Sequence, residues 1–322
     1  MYDVRCTRGS GVGNAKEQGA IAVIVAVMMV VLLGFVALAV DVGMLYAAKA
    51  QLQNGADAAA LGVAQDCASR GNAACQGAAA GKALGLVKSN INSGKSAQPT
   101  VSFPASGTVT VTASAGDEDG SGHPLFFARI FGMTRAEVAA EASAAWGSPY
   151  GGTATLPIVF SECQFDLTGT TQVLAIHGES GGRSCISSSP SGQLIPGGFG
   201  WLQSDPGKCG VAVSLADPTV PSKSGVSEPP ECTSVFDSLK NQTIILPVFD
   251  GIDASGRFHI KGFAAFQLLG FNFPGHSWNN NGNPGCKGSC KGLIGKFVRF
   301  TTLTDFTLGG PDLGAKVIRL TK

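Results

Sequence analysis

From Gln18 to Val40 the chain carries no charged side chain, reading QGAIAVIVAVMMVVLLGFVALAV. These 23 residues, at about 1.5 Å of rise each, reach about 34 Å, enough to cross a hydrocarbon layer of ~30 Å. A helix there satisfies every backbone polar group internally, as lipid requires. Soluble helices rarely run this long without a charge, so the pattern predicts a transmembrane helix. Helix-favouring sequence continues through Leu45, Ala47, Ala48 and Leu52 to Leu61, which extends the expected helix out of the membrane to about Asp66. Ala37-Leu38-Ala39 fits the small-x-small pattern of a signal-peptide cut, but the apolar core exceeds the usual ~7–15 residues. Arg5, Arg8 and Lys16 precede the span and only Lys49 follows it closely. The positive-inside rule then places the N-terminus in the cytoplasm and the bulk outside.

The cysteines divide in the same way. Cys6 falls in the expected cytoplasmic tail. Cys67, Cys75, Cys163, Cys185, Cys209, Cys232, Cys286 and Cys290 all follow the span. An even set on the outer side reads as disulfides in an oxidising compartment. Eight cysteines allow on the order of a hundred pairings, and sequential pairing is the expected one: Cys67–Cys75, Cys163–Cys185, Cys209–Cys232, Cys286–Cys290. Zinc is the rival reading, but no C-x-x-C pair occurs, and Cys286-KGS-Cys290 has no second ligand pair nearby.

The expected fold class is α+β: a long N-terminal transmembrane helix, a small α+β region and a disulfide-stapled β-rich domain. The expected domains are a cytoplasmic tail (1–17), the transmembrane helix with its extension (18–66), the small α+β region (67–148) and the β-rich extracytoplasmic domain (149–322). The long helix should break around Arg70-Gly71-Asn72, with a second helix over Ala74–Lys88. Residues 100–103 and 108–112 alternate polar and apolar around Pro104–Gly107, a hairpin pattern. His123–Phe131 has apolar residues at helical spacing with Gly132 as a stop, and predicts a helix. Glu137–Trp146 is compatible with a helix by composition, but Val138, Ala140, Ala142 and Ala144 alternate with Ala139, Glu141 and Ser143, and a strand is the expected element. Beyond Gly147-Ser-Pro149, Gly, Pro, Ser and Asn punctuate short apolar runs at Leu156–Phe160, Gln172–Ile176, Thr243–Phe249, Phe258–Leu269, Phe297–Leu303 and Lys316–Leu320.

Along the first helix Ala39, Gly43, Ala47, Gly55 and Ala59 recur at spacings of four or eight and fall on one side. Small residues let a second helix approach closely in lipid; the plain alternative is local abundance of Ala and Gly. Asp41, at the outer boundary, reads as a solvated end residue or as a group pairing with a neighbouring subunit.

Few features suggest catalysis, and no catalytic, cofactor or metal site is expected. Gly178-Glu179-Ser180-Gly181-Gly182 matches the G-x-S-x-G spacing of a nucleophile elbow, but Arg183-Ser-Cys-Ile-Ser-Ser-Ser-Pro190 is a poor helix to follow it. Asp117-Glu118-Asp119 lacks the rest of a calcium loop and reads as a turn. Asp253-Ala254-Ser255 begins like a D-x-S-x-S metal motif, yet Arg257 stands where the second Ser belongs; the segment reads as a turn inside a hairpin. His259 and His276 are isolated in sequence. Phe258, Phe263, Phe266, Phe271, Phe273 and Trp278 read as core, with an exposed binding patch as the alternative. Charged residues make up 14% of the chain and the net charge is +1, which argues against a nucleic-acid partner.

Residues Glu17–Ala64 resemble the N-terminal domain of the TadE/TadG-like proteins of the Flp (tight-adherence) pilus assembly system. Gln18-Gly19-Ala20 opens the span, Val40-Asp41-Val42-Gly43 ends it, and Leu52-Gln53-Asn54 and Ala56-Asp57-Ala58-Ala59-Ala60-Leu61 follow. Phe127-Ala128-Arg129-Ile130-Phe131-Gly132 is a weaker match downstream. The resemblance implies a helix-anchored, pilin-like or pilus-associated bacterial envelope protein whose partners are the membrane and other pilus-assembly proteins. It implies no small-molecule substrate. The chain departs from longer members in lacking the metal motif of a von Willebrand factor A domain. It also places Glu17 four residues after Gly13, not at the prepilin spacing. The expected function is a non-enzymatic extracytoplasmic component of Flp pilus assembly. The alternatives are a helix-tethered adhesin or ligand-binding module, and a serine hydrolase using Ser180.

Overall fold

The computed structural model describes residues 15–116, 121–176, 186–188, 194–196, 199–225 and 227–321. The architecture is α+β: a long N-terminal apolar helix followed by a β-rich region with disulfides.

Helix α1 spans Ala15–Arg70 and helix α2 spans Asn72–Ser89. Gly71 separates them at φ 86, a left-handed conformation that glycine adopts without a Cβ penalty. Its N–H donates to the Cys67 carbonyl at 2.9 Å, and its own carbonyl accepts from Cys75 at 3.2 Å. The Cys67–Cys75 disulfide spans this corner with Cα atoms 4.9 Å apart, within the range that disulfide geometry requires.

The two halves of α1 have opposite surroundings. From Ile21 to Leu38 nearly every large side chain is exposed, including Val30, Leu33 and Phe35. From Leu52 onward one face is buried, with Leu52, Ala56, Ala59, Ala60 and Val63 recurring every three or four residues, the period of an amphipathic helix. That face packs on α2 through Ala79, Ala83 and Val87, and on a sheet through Val109, Val111, Ala142, Ala144 and Ile318.

This sheet has five strands in the order Thr100–Ser102, Thr108–Ser114, Ala139–Gly147, Ala315–Leu320, Phe300–Leu303. The hairpin expected around Pro104–Gly107 pairs Thr100 with Thr112 and Ser102 with Thr110. The alternation expected after Val138 is a strand, with Ala140, Ala142 and Ala144 facing the helices. Ile318 pairs opposite Trp146, so the last strand completes the sheet beneath α1. Two strands from beyond residue 149 thus cross the expected 148/149 boundary.

The helix expected over His123–Phe131 does not form. His123 and Pro124 pair with Ala136 and Arg135 as the neck of a hairpin, and only Ala128–Phe131 makes a 3-10 turn. Pro124 lacks an N–H to bond, and Gly132 at φ 82 stops the turn after four residues.

The β-rich region is built on Arg257–Phe273, a 17-residue strand. It pairs with Thr243–Ile252 on one side and Gly292–Val298 on the other. Both of its faces are buried. Phe266, Leu268, Phe271 and Phe273 enter one cluster with Phe160, Trp201 and Phe297, while Phe258, Ile260, Phe263 and Ala265 enter another with Val159 and Phe249. A strand buried on both faces loses the clean alternation of a solvated one. Thr219–Lys223 pairs with both Phe199–Leu202 and the start of the long strand. With Ile158–Ser161 and Thr243–Ile252 these strands form a closed circuit of pairings. Gly200 is required inside it, because a Cβ there would lie 2.3 Å from the Phe258 ring.

Two further disulfides staple this region, Cys209–Cys232 and Cys286–Cys290. Cys163 is also disulfide-bonded; its expected partner, Cys185, lies outside the described residues.

A Cβ at Gly55 would sit 3.2 Å from the Val87 Cα and 3.3 Å from its carbonyl oxygen, backbone atoms that cannot rotate away. Gly55→Val should therefore destabilise the α1–α2 pair by about 1–3 kcal/mol. Gly81→Ala, where nothing lies within 4 Å, should stabilise by about 0.5–1 kcal/mol. Chemical unfolding of the detergent-solubilised protein checks both. Alkylation without reductant should leave Cys67, Cys75, Cys209, Cys232, Cys286 and Cys290 unlabelled, as peptide mass mapping would read out.

Candidate functional site

The exposed apolar run of α1 ends at Asp41, which is 3% exposed. A carboxylate at this depth needs hydrogen-bond donors, and the chain supplies three backbone ones from 85 to 87 residues away. Asp41 Oδ1 accepts from the Phe126 N–H at 2.9 Å and Oδ2 from the Ala128 N–H at 2.7 Å. The Phe127 N–H lies between them, 3.3 and 3.1 Å from the two oxygens. These N–H groups open the 3-10 turn Ala128–Phe131, whose own N-terminal residue provides no side-chain cap. Asp41 therefore caps the turn from another element, where the exposed N–H groups carry partial positive charge. The sequence reading of Asp41 as a solvated end residue is corrected: it is buried and fully engaged within its own chain.

The capped segment is the tip of a narrow hairpin. Its neck is the His123–Pro124 and Arg135–Ala136 pairing, and Leu125 donates to the Thr134 carbonyl at 3.0 Å to close the base. Gly132 and Met133 return their N–H groups to Arg129 and Ala128. Leu125 and Ala128 are buried, whereas Phe126, Phe127, Ile130, Phe131 and Met133 are exposed. A groove of about 530 Å³ adjoins the neck, lined by Met44, Ala48, Gln51, Ile91, His123 and Arg135 among others.

The small-residue stripe is divided. Gly55 and Ala59 are buried against the chain's own helix and sheet. Ala39, Gly43 and Ala47 stay exposed, and nothing lies within 4 Å of a Cβ built on Gly43. At about 100° per residue, Gly43 falls on the side of α1 away from Asp41. Sequence spacing aligned these residues without showing which of them the fold itself would cover.

Other candidates separate from this site. Ser180 with its flanking glycines, His177 and the Asp117–Asp119 cluster lie outside the described residues. Asp253 accepts from the N–H groups of Ser255 and Arg257 at 2.8 and 2.9 Å, the bonding of a turn. The histidines that look isolated in sequence have carboxylate neighbours: His259 meets Asp250 at 2.6 Å, and His276 meets Glu228 at 2.7 Å and Asp237 at 3.4 Å. The hydrogen bond from Lys240, and then that from His276, hold the Asp237 carboxyl below the usual carboxylate range. Among the described residues no group of three or more His, Cys, Asp or Glu is arranged to hold a metal ion.

The structure brings together residues that sequence reasoning left apart. In sequence Asp41 reads as a boundary group, and His123–Phe131 reads as a helix closed by Gly132. The signal linking them was the density of large apolar residues in a short segment closed by glycine, a pattern for which a four-residue turn has no inner face.

One described helix is long and apolar enough to cross a membrane. Residues 19–66 match the Flp pilus-assembly TadE/G-like family (Tad), a stretch that runs from the apolar half of α1 through Asp41 to the packed half. This matched segment links the chain to Flp pilus assembly. No curated protein and no solved structure matches the chain.

Replacing Asp41 by Ala removes the side chain that caps the turn among the described residues and should free the hairpin tip. Chymotrypsin should then cut at Phe126, Phe127 or Phe131 several-fold faster than in the wild type, with cleavage elsewhere unchanged. Asp41→Asn should give an intermediate rate, because its amide keeps one acceptor but turns an NH2 toward N–H donors.

Proposed function

We propose that the protein is a membrane-anchored, non-enzymatic component of Flp pilus assembly, with its N-terminus cytoplasmic and its carboxy-terminal bulk exported. The observation that carries this reading is the coincidence of the family match at 19–66 with a helix exposed and apolar up to Asp41. The basic residues before the span support the orientation. The disulfides support an oxidising compartment for everything after it. In this reading residues 1–17 are the cytoplasmic tail, 18–66 the anchor with its extension, and the remainder the exported body. The exposed stripe Ala39, Gly43 and Ala47, at and just past the end of the span, receives a helix of another pilus-assembly protein, since small side chains let two helix backbones approach closely.

Protease added to intact spheroplasts should degrade the body while sparing a fragment that contains the span. Protection of the body would refute the orientation. Deleting the gene should reduce piliation, counted by electron microscopy; normal pilus numbers would remove the assembly role. Gly43→Leu should lower co-purification of pilus-assembly partners without changing the unfolding midpoint, because no atom of the chain itself stands in the way.

A further inference from the structure

We infer that the hairpin tip Phe126–Met133 is a second membrane contact, a foot that dips into the outer headgroup region beside the point where α1 leaves the lipid. The inference rests on the anchoring role proposed for α1. Its geometry stands on the page. Three backbone hydrogen bonds to Asp41 fix the tip at the end of the apolar span, so its depth is set by residue 41. Ile130 and Phe131 are 82% and 72% exposed, and Phe126, Phe127 and Met133 project beside them. Such a cluster on one short turn is costly in water and unusual on a soluble surface.

Three observations favour lipid as the occupant over a protein. Leu38 and Val40, at the end of the span, and Val42 just past Asp41 are exposed as well, so apolar side chains flank the point where the tip is held. Arg129 and Arg135 are exposed within or beside the tip, and long basic side chains reach from an apolar site to headgroups. Tyr46, 80% exposed one turn beyond Asp41, marks the depth at which aromatic residues gather in membrane interfaces. Gly43, at the middle of the stripe suited to a partner helix, lies on the side of α1 away from Asp41, so a helix seated there leaves the tip free. A foot beside the span resists rotation and tilt of α1, and so orients the exported body and the stripe.

The test uses the full-length protein in nanodiscs of phosphatidylcholine and phosphatidylglycerol. Phe131→Trp is compared with the wild type, whose own tryptophans supply the spectrum to subtract, and Ile130→Trp is a second reporter. Lipids brominated near the headgroup end of the acyl chain are then introduced for the tip reporters, and lipids brominated near its middle for the span. A tip buried about 5–10 Å into the interface should lose roughly half of the added emission. Leu32→Trp, within the span, is the reference. If Leu32→Trp is quenched while both tip reporters are unaffected and remain open to aqueous iodide, the foot is refuted and the anchor stands. If none is quenched, the anchoring reading fails with it. In native membranes, a photo-crosslinking residue at position 130 should yield a lipid adduct. A cross-link to protein instead would overturn the inference in favour of a partner surface.

Discussion

The packing of the C-terminal half of α1 against an alanine-rich sheet supports the rest of the described structure. Ala56, Ala59 and Ala60 meet Ala140, Ala142 and Ala144, and these small side chains let helix and sheet approach closely. Larger residues fill the margins. Leu52, Val63, Val109, Val111 and Ile318 are all buried there, and full burial of each contributes about 1.5–3 kcal/mol. A single helix therefore joins an apolar span to the folded body without a linker, and the direction of one sets the direction of the other.

Asp41 lies where these two regimes meet. Its carboxylate is taken from water and matched by backbone donors, and hydrogen bonds to an ionised acceptor are roughly twice as strong as neutral ones. The result is a hairpin tip held against the helix with its apolar side chains turned outward. Burial of one polar group thus governs the display of five apolar ones. The same residue belongs to the segment that matches the pilus-assembly family.

The β-rich region is held differently. Its long central strand is buried on both faces by interlocking aromatics, with Phe160 packed against Phe266 at 4.9 Å and Phe297 at 5.3 Å between ring centroids. Cys209–Cys232 ties the approach to strand Val211–Ser214 to the turn before the short helix Thr233–Ser238. Cys286–Cys290 closes a loop beside Gly292–Val298. Disulfides serve this role where loops are long and regular structure is short.

Sequence alone determined the elements whose signal is local. The uncharged run 18–40, the helix extending from it, the break at Gly71, the hairpin at 100–112 and the strand around Ala142 all follow from hydrophobic period and turn residues. The family resemblance was legible for the same reason, since it lies in one continuous segment. Tertiary structure decided what depends on distant partners. The helical spacing of His123–Phe131 gave way to a 3-10 turn because its N–H groups found Asp41, 85 residues and more upstream. The strand Ala315–Leu320 joined the first sheet because the edge of Ala139–Gly147 offered unpaired backbone groups. The small-residue stripe split because α2 folds back over Gly55 and Ala59 but stops short of Gly43. Period and propensity act within a few residues, whereas a buried carboxylate or an open strand edge is satisfied by whatever the fold brings to it.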